Sequence, residues 1–268
     1  MTWLFRQVGE KTFESSEYTR TGWNETDQHG GPPSALLAHV IQGIALPVPM
    51  HMTRITVSLL RPVPIADVET RTRILRAGKR VAVVEADLLL AGTDDLLATA
   101  QAQMIRTEAM PIDGVARPEF SVPTPPMDHP PAFDQGVGSW ADTSVARFHL
   151  HASERRSIDL GWETLGPGEG WFRLLLDVVD HEPASPLTKF VAIADMANGL
   201  SSALDVDRFM WVNPDMTVAF SRPPRGDWMG MRAGADPQSN GVGLVHAWGF
   251  DADGPFGHVL QTQLLVHR

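Results

Sequence analysis

Apolar residues cover almost the whole circumference of one predicted helix near the start of the chain. Between residues 34 and 41 only His39 interrupts them, and a helix that is apolar on nearly every side is expected to be buried all round. Two glycines and then Pro32 precede this run. Proline fits the first turn of a helix, where its missing N–H costs nothing, and glycine lets the backbone approach a ligand closely.

Alternating apolar and polar positions predict strands on both sides of a long middle segment. A strand over residues 12–19 comes before the first helix, and strands over 52–60, 67–76, 80–90 and 97–106 follow it. A second series follows the middle segment: strands over 146–152 and 170–177, a helix over 187–204, then strands over 211–221, 228–233, 241–250 and 259–267.

The second series repeats the first at nearly constant spacing. Residues 57–62 resemble residues 218–223 at a shift of 161, and Gln101 and Arg106 lie 162 residues before Gln263 and Arg268. Order and spacing together predict an internal duplication. Seven prolines between residues 107 and 139 are typical of an extended connector. We therefore expect an N-terminal unit over 1–107, a proline-rich linker over 108–139 and a C-terminal unit over 140–268.

A long helix followed by a run of antiparallel strands predicts an α+β unit in which the sheet curls around the helix. Two such units can pair edge to edge into one continuous sheet, which covers edges that would otherwise be exposed. The apolar strand faces and the remaining edges favour a homo-oligomer, most simply a two-fold dimer.

Composition narrows the classes of function. The net charge of −10 argues against a nucleic-acid-binding surface, which needs a basic patch. The absence of cysteine excludes disulfides, thiol nucleophiles and thiolate metal sites. His149 and His151 flank one residue and are interpreted as a surface pair, so we expect no metal site. With no signal-peptide pattern or membrane-length apolar run, the expected location is the cytoplasm.

Several motifs in the second series resemble a known family. Residues 215–223 read DMTVAFSRP, Gln263 lies near the end of the last strand, and Asp195 lies within IADMANGL. This arrangement resembles the acyl-CoA thioesterases of the double hotdog fold, of the acyl-CoA thioesterase II type. The resemblance extends over residues 23–106 and 190–268.

The resemblance implies a double hotdog fold and two catalytic residues, Asp195 and Gln263. The third catalytic residue of the family is a threonine two positions before the strand aspartate, and here Asn213 stands in its place. An amide can hold a water, but its donors and geometry differ from those of a hydroxyl. Separately, the segment from Asn24 to Gly31 resembles the loop that opens the helix in single hotdog thioesterases.

Thioester hydrolysis needs a water, a group that orients or deprotonates it, and a donor for the oxyanion. Asp195 is the candidate base or orienting carboxylate, and Asn213 and Gln263 are candidates to hold the water through their amides. The N–H of Gly30 or Gly31 is the candidate oxyanion donor, because the helix dipole adds to it.

His29 and Asn24 are expected on the substrate side of the same loop. A structural role for His29 is equally compatible with the sequence, and Gln263 alone could also be an outward polar residue on an alternating strand.

In the duplicated fold that this resemblance implies, the start of one helix faces the helix carboxylate of the other unit. The loop at His29 should therefore face Asp195. The same arrangement should recur where the start of the second helix faces the first helix. The shift of 161 makes Ser34 the first-helix residue equivalent to Asp195, whereas a direct match of the two helices makes it His39. The direct match favours His39, interpreted as a core histidine bonded to a backbone group. Neither residue is a carboxylate, so we expect one functional site and one degenerate site.

The prediction from sequence is therefore an acyl-CoA thioesterase without a cofactor, acting in fatty acid metabolism. Two alternatives remain open. A hotdog enoyl-CoA hydratase or dehydratase would need a paired aspartate and histidine, for which Asp27 and His29 are candidates. A non-catalytic acyl-CoA-binding protein would fit a site in which Asn213 marks lost activity.

Overall fold

One continuous sheet dominates the computed structural model, which describes residues 2–131, 144–160 and 164–268. The strands of these residues are β1 (Trp3–Gln7), β2 (Thr12–Ser15), β3 (Met50–Leu59), β4 (Val68–Ala77), β5 (Val81–Leu90), β6 (Leu96–Arg106), β7 (Ser153–Leu160), β8 (Gly168–Leu174), β9 (Asp177–Val179), β10 (Phe209–Val212), β11 (Asp215–Phe220), β12 (Met229–Pro237), β13 (Val242–Asp251) and β14 (Gly254–His267). The helices are α1 (Gly31–Gln42), α2 (Pro186–Ala194) and α3 (Ala197–Leu200). None of these helices is both long enough and apolar enough to cross a bilayer.

The strand order of the first half is repeated in the second half. Outward from the middle of the sheet, the first half runs β3-β6-β5-β4-β2-β1 and the second runs β11-β14-β13-β12-β8-β7. The two halves join where β3 pairs antiparallel with β11, and at that junction Thr56 lies opposite Thr217, with 3.0 Å between their hydroxyl oxygens. These two threonines are 161 residues apart, so the spacing read from the sequence matches the register of the sheet.

The register corrects one of the predicted correspondences. Thr56 pairs with Gln101 on β6, whereas Thr217 pairs with Leu260 on β14. Gln101 therefore corresponds to Leu260 and not to Gln263. Corresponding residues of β6 and β14 are therefore 159 residues apart instead of 161, because the chain is two residues shorter from β13 to β14 than from β5 to β6.

The predicted burial of the first helix is confirmed. Residues 31–38 and Ile41 of α1 are buried, and the helix packs against α2 and against β5 and β6 of its own half. An ideal Cβ on Gly31 would lie 2.3 Å from the carbonyl oxygen of Ala192 on α2. The two helices therefore approach each other this closely only because residue 31 has no side chain.

Two predicted elements are interrupted in the structure. The helix expected over 187–204 is broken between Ala194 and Ala197, so Asp195 lies at the end of α2 and not in mid-helix. The strand expected over 211–221 is divided into β10 and β11 around Pro214, because proline has no N–H to donate to a sheet ladder. Both interruptions position residues of the site described below.

Other differences concern short segments. Residues 148–152, expected as a strand, form a π-helical turn, and the strand expected over 12–19 ends at Ser15 and is followed by a short 3-10 turn. The sequence pattern did not indicate β1 or β9, which pair with each other in parallel at the outer edge. Both are short, and strands of three to five residues carry little periodicity.

Residues 108–131 of the predicted linker contain no strand, apart from one bridge at Pro131. Phe120 packs its ring 5.7 Å from Trp248 and 5.4 Å from Phe250, and the indole N–H of Trp171 donates to the carbonyl of Thr124 at 3.0 Å. This part of the segment therefore lies against the second half of the sheet. Residues 132–139 are outside the described residues.

Candidate active site

A cavity of about 680 Å³ lies between the two halves. The first half lines it with the loop before α1, residues 21–30, and with the end of β3 and the residues that follow, 59–63. The second half contributes His149 and side chains between residues 195 and 214. His149 is buried and lies on the cavity wall, so the prediction that it belongs to a surface pair is wrong.

Asp195 is the buried carboxylate of this cavity. The residue is 4% exposed and caps the C-terminal end of α2, where the helix dipole disfavours a negative charge. The carboxylate therefore needs nearby donors. Nδ1 of His29 lies 2.8 Å from Oδ2, Nδ2 of Asn213 donates to Oδ1 at 2.6 Å, and Nε2 of Gln261 donates to the same oxygen at 3.3 Å.

These donors determine the charge state of Asp195. Burial by itself would raise the pKa of this carboxyl, but the charge and hydrogen bond of His29 act in the opposite direction, as do the hydrogen bonds from Asn213 and from the N–H of Gly31. The net result is a pKa below the usual value for an aspartate. Asp195 is therefore ionised throughout the neutral pH range, despite its burial.

A chain of amides leads to the same carboxylate. Nε2 of Gln263 donates to Oδ1 of Asn198 at 2.6 Å, and Nδ2 of Asn198 donates to Oδ1 of Asn213 at 3.3 Å. Asn213 then donates to Asp195. The structure thus brings Asn213 into direct contact with Asp195, whereas Gln263 reaches the carboxylate only through Asn198 and Asn213.

Two residues of this network were given no role by the sequence reasoning. Gln261 contacts Asp195 directly, and Asn198 links Gln263 to the cavity. Gln261 and Gln263 are two positions apart on β14 and both are buried, so the period of two along a strand could have indicated that they face the same side.

The glycines before α1 allow the loop to pass over the carboxylate. An ideal Cβ on Gly30 would lie 2.9 Å from Oδ2 of Asp195 and 2.9 Å from Cδ1 of Leu59, so a side chain at this position would displace the carboxylate or Leu59. The N–H of Gly31 points at Nδ1 of His29, at 3.2 Å, and contributes a hydrogen bond to Asp195. His29 and both glycines are therefore assembled around Asp195, as the predicted facing of the two halves requires.

Asn24 uses its side chain to fold its own loop. Its Oδ1 accepts the N–H groups of Thr26 and Asp27 at 2.9 and 2.8 Å, and its Nδ2 donates to the Asp27 carboxylate at 2.8 Å. Asn24 and Asp27 both line the cavity. Asp27 therefore binds Asn24, while His29 turns to Asp195, so the Asp27–His29 pair considered for a hydratase is not formed.

A second polar pair occupies the mirrored end of the two helices. Nε2 of His39 lies 2.9 Å from Oε2 of Glu182, just before α2, whereas Ser34 donates to the carbonyl of Gly30 within its own helix. His39 thus corresponds to Asp195, as the direct helix match predicted. The expectation that His39 bonds to a backbone group is wrong, because its partner is a carboxylate. We call His39 and Glu182 the mirrored pair.

Comparison with known proteins places the chain in a family. Residues 19–107 match the model of the acyl-CoA thioesterase N-terminal domain, and residues 116–265 match that of the acyl-CoA thioesterase C-terminal domain. The chain belongs to the acyl-CoA thioesterase family. A search of curated proteins finds no match.

Solved structures identify the fold of this thioesterase family member. A conserved protein of unknown function with a hot dog fold from Alicyclobacillus acidocaldarius has a TM-score of 0.69 at 16% identity and covers 98% of this chain and 95% of its own. The tesB protein of Mycobacterium avium subspecies paratuberculosis has a TM-score of 0.69 at 15% identity, over 98% and 96%. Acyl-CoA thioesterase II TesB2 from Mycobacterium marinum has a TM-score of 0.67 at 15% identity, over 98% and 96%. The chain has the hot dog fold.

Proposed function

We propose that this protein hydrolyses an acyl-CoA thioester to a free acid and coenzyme A with a water held beside Asp195. The observation that carries the proposal is the buried, ionised carboxylate on the wall of a cavity between the two halves. Membership of the acyl-CoA thioesterase family supports the substrate class.

We further propose that the two halves are tandem hotdog units with helices against a shared sheet, over residues 1–107 and 140–268, joined by the linker 108–139. The repeated strand order and the junction of β3 with β11 support this division.

In the proposed site, Asp195 and Asn213 act at the water and Gln263 acts through Asn198. Asp195 is the base or the orienting carboxylate, and the amide of Asn213 holds the water or the carboxylate. The N–H of Gly30 stabilises the negative charge that develops on the thioester oxygen, with His29 beside it. The N–H of Gly31 is already directed at Nδ1 of His29 and at Asp195. Asn24 contributes to binding by shaping the loop that lines the cavity.

A panel of acyl-CoA substrates tests the proposal. The purified protein is incubated with acyl chains of increasing length and free thiol is measured. Release of thiol above the uncatalysed rate supports hydrolysis, whereas binding without release would support a non-catalytic acyl-CoA-binding protein. Loss of activity in Asp195→Asn, with an unchanged melting temperature, would tie the hydrolysis to this site.

A second candidate function has one observation in its favour. The histidine and aspartate that a hydratase would need do form a pair in the cavity, as His29 and Asp195 at 2.8 Å. Hydration of an enoyl-CoA changes the absorbance of the conjugated thioester and releases no thiol. The two readouts, measured on the same enoyl-CoA, therefore separate hydration from hydrolysis.

We also propose that the protein is a homo-oligomer, most simply a dimer. Val242, Leu244, Leu260 and Leu264 on the adjacent strands β13 and β14 are each more than 40% exposed, and exposed apolar side chains that cluster are typical of an interface. Light scattering that gives a monomer mass at micromolar concentration would contradict this proposal.

A further inference from the structure

Most acceptor positions of Asp195 are already occupied by the protein. An ionised carboxylate has about four lone-pair positions. Here Asn213 and Gln261 donate to Oδ1, and Nδ1 of His29 faces Oδ2. The N–H of Gly31 is shared between Nδ1 of His29 and Asp195. A water that is to lose a proton must donate a hydrogen bond to its base. Asp195 therefore has little acceptor capacity left for such a water.

The ring of His29, in contrast to the Asp195 carboxylate, has one nitrogen without a hydrogen-bond partner among the described residues. Its Nδ1 faces Oδ2 of Asp195, and its residue lines the cavity. Within residues 2–131, 144–160 and 164–268, Nε2 makes no hydrogen bond. When Nδ1 carries the proton that is donated to Asp195, the lone pair of the neutral ring is on Nε2.

We propose that His29 is the proton acceptor in the hydrolysis, through Nε2, and that Asp195 acts as the positioning residue that holds the ring and its tautomer. This inference rests on the proposed thioesterase function and assigns roles within it. The oxygen of the water attacks the thioester carbon while its proton passes to Nε2 of His29. The tetrahedral intermediate then expels the coenzyme A thiolate, and His29 returns the proton to that sulfur.

The two assignments predict different pH profiles. Because the pKa of Asp195 is lowered, a carboxylate base would already be ionised at pH 5 and kcat/KM would be flat above it. A histidine base loses activity when it is protonated, so kcat/KM would fall about tenfold per pH unit on the acid side of its profile.

Other groups near the ring could add to such a profile and are controlled for by substitution. His149, on the π-helical turn, has its ring centroid 6.4 Å from that of His29. The other charged or titratable residues on the cavity wall are Asp27, Arg61, Asp195 and Asp205. A limb that belongs to His29 must disappear when His29 alone is replaced.

The decisive variant is His29→Asn, because the asparagine amide can donate to Asp195 in place of Nδ1 but has no group equivalent to Nε2. We expect kcat to fall about 10²–10⁴-fold, KM to change less than about threefold, and the acid limb of the residual rate to vanish. The matched control is His39→Asn, which makes the same change in the mirrored pair and should leave both the rate and the limb unchanged.

A second variant guards against misfolding. In His29→Ala, added imidazole should restore part of the activity, since a free base can enter the vacated space. A wild-type profile that is flat from pH 5 to 9, a His29→Asn enzyme within about threefold of the wild type, or no rescue by imidazole in a folded His29→Ala enzyme would each overturn the inference while thioester hydrolysis stands. Absence of thiol release from every acyl-CoA would overturn the proposed function with it.

Discussion

The helices α1 and α2 contact each other's preceding segment at two places, and the polar residues at these two ends of the helix pair differ. At one end, the carboxylate of Asp195 is on the helix and the imidazole of His29 is on the opposing loop. At the other end, the imidazole of His39 is on the helix and the carboxylate of Glu182 precedes the opposing helix. Acid and base have exchanged places between the two ends.

The strands beneath the helices explain why only one end can bury a carboxylate. The register of the sheet shows which first-half residues correspond to the amides around Asp195. Met52 corresponds to Asn213, Ala102 to Gln261 and Met104 to Gln263. Amides therefore surround Asp195, and apolar side chains occupy the mirrored positions. A buried charge is tolerated where donors compensate it, and Glu182 instead has a side chain that is 47% exposed.

The largest effect is expected from replacing Asp195, at the end of the helix pair where the carboxylate is buried. Asp195→Asn should lower hydrolysis about 10²–10⁴-fold, because the amide keeps the shape of the carboxylate but lacks the charge that holds His29. Thiol release on the best acyl-CoA measures the loss. An unchanged melting temperature is the control for folding, and near-normal activity would show that the site has been misassigned.

Thermal stability tests the close approach of α1 and α2 at Gly31. Gly31→Ala should destabilise the protein by about 1–3 kcal/mol, because its Cβ would collide with the carbonyl of Ala192. For a chain of this size each kcal/mol lowers Tm by about 2–4 °C. Gly43→Ala is the matched control, since its Cβ would meet no described atom closer than 3.5 Å. Equal Tm values for the two variants would contradict the close approach.

A smaller effect is expected at the far end of the amide chain. Gln263→Ala removes a hydrogen bond to Asn198, and the loss of one such bond costs about 1 kcal/mol, which corresponds to about a fivefold lower kcat/KM. The control is Gln101→Ala, an exposed residue on β6 that the sequence spacing had matched to Gln263. If both variants lose activity equally, the amide chain has no specific role.

The smallest effect is expected at the mirrored pair. His39→Gln should leave turnover within a few-fold of the wild type and lower stability by at most about 1 kcal/mol, as expected for a pair with a half-exposed partner. Steady-state kinetics and a thermal melt measure both. If His39→Gln were more damaging to turnover than Asp195→Asn, the functional end would have been placed at the wrong helix.

The elements with strong periodicity, and their repetition, follow from the amino-acid sequence alone. The apolar circumference of α1, the alternation along β3 to β6, and the 161-residue spacing that is realised in Thr56 and Thr217 all follow from local patterns. Such patterns predict well because the burial of one face requires a fixed period in the chain. Asp195 and Asn213 were also found from the sequence, each through a short motif.

Which side chains come into contact depends on the three-dimensional fold. Gln261 and not Gln263 touches Asp195 from 66 residues away, because the register of β14 on β10 and β11 fixes which of its side chains lies at the end of α2. The break after Ala194 and the pairing of His29 with Asp195 depend in the same way on two distant segments arriving together. Such contacts depend on strand register and on how the helices cross, and a local sequence pattern contains no information on either.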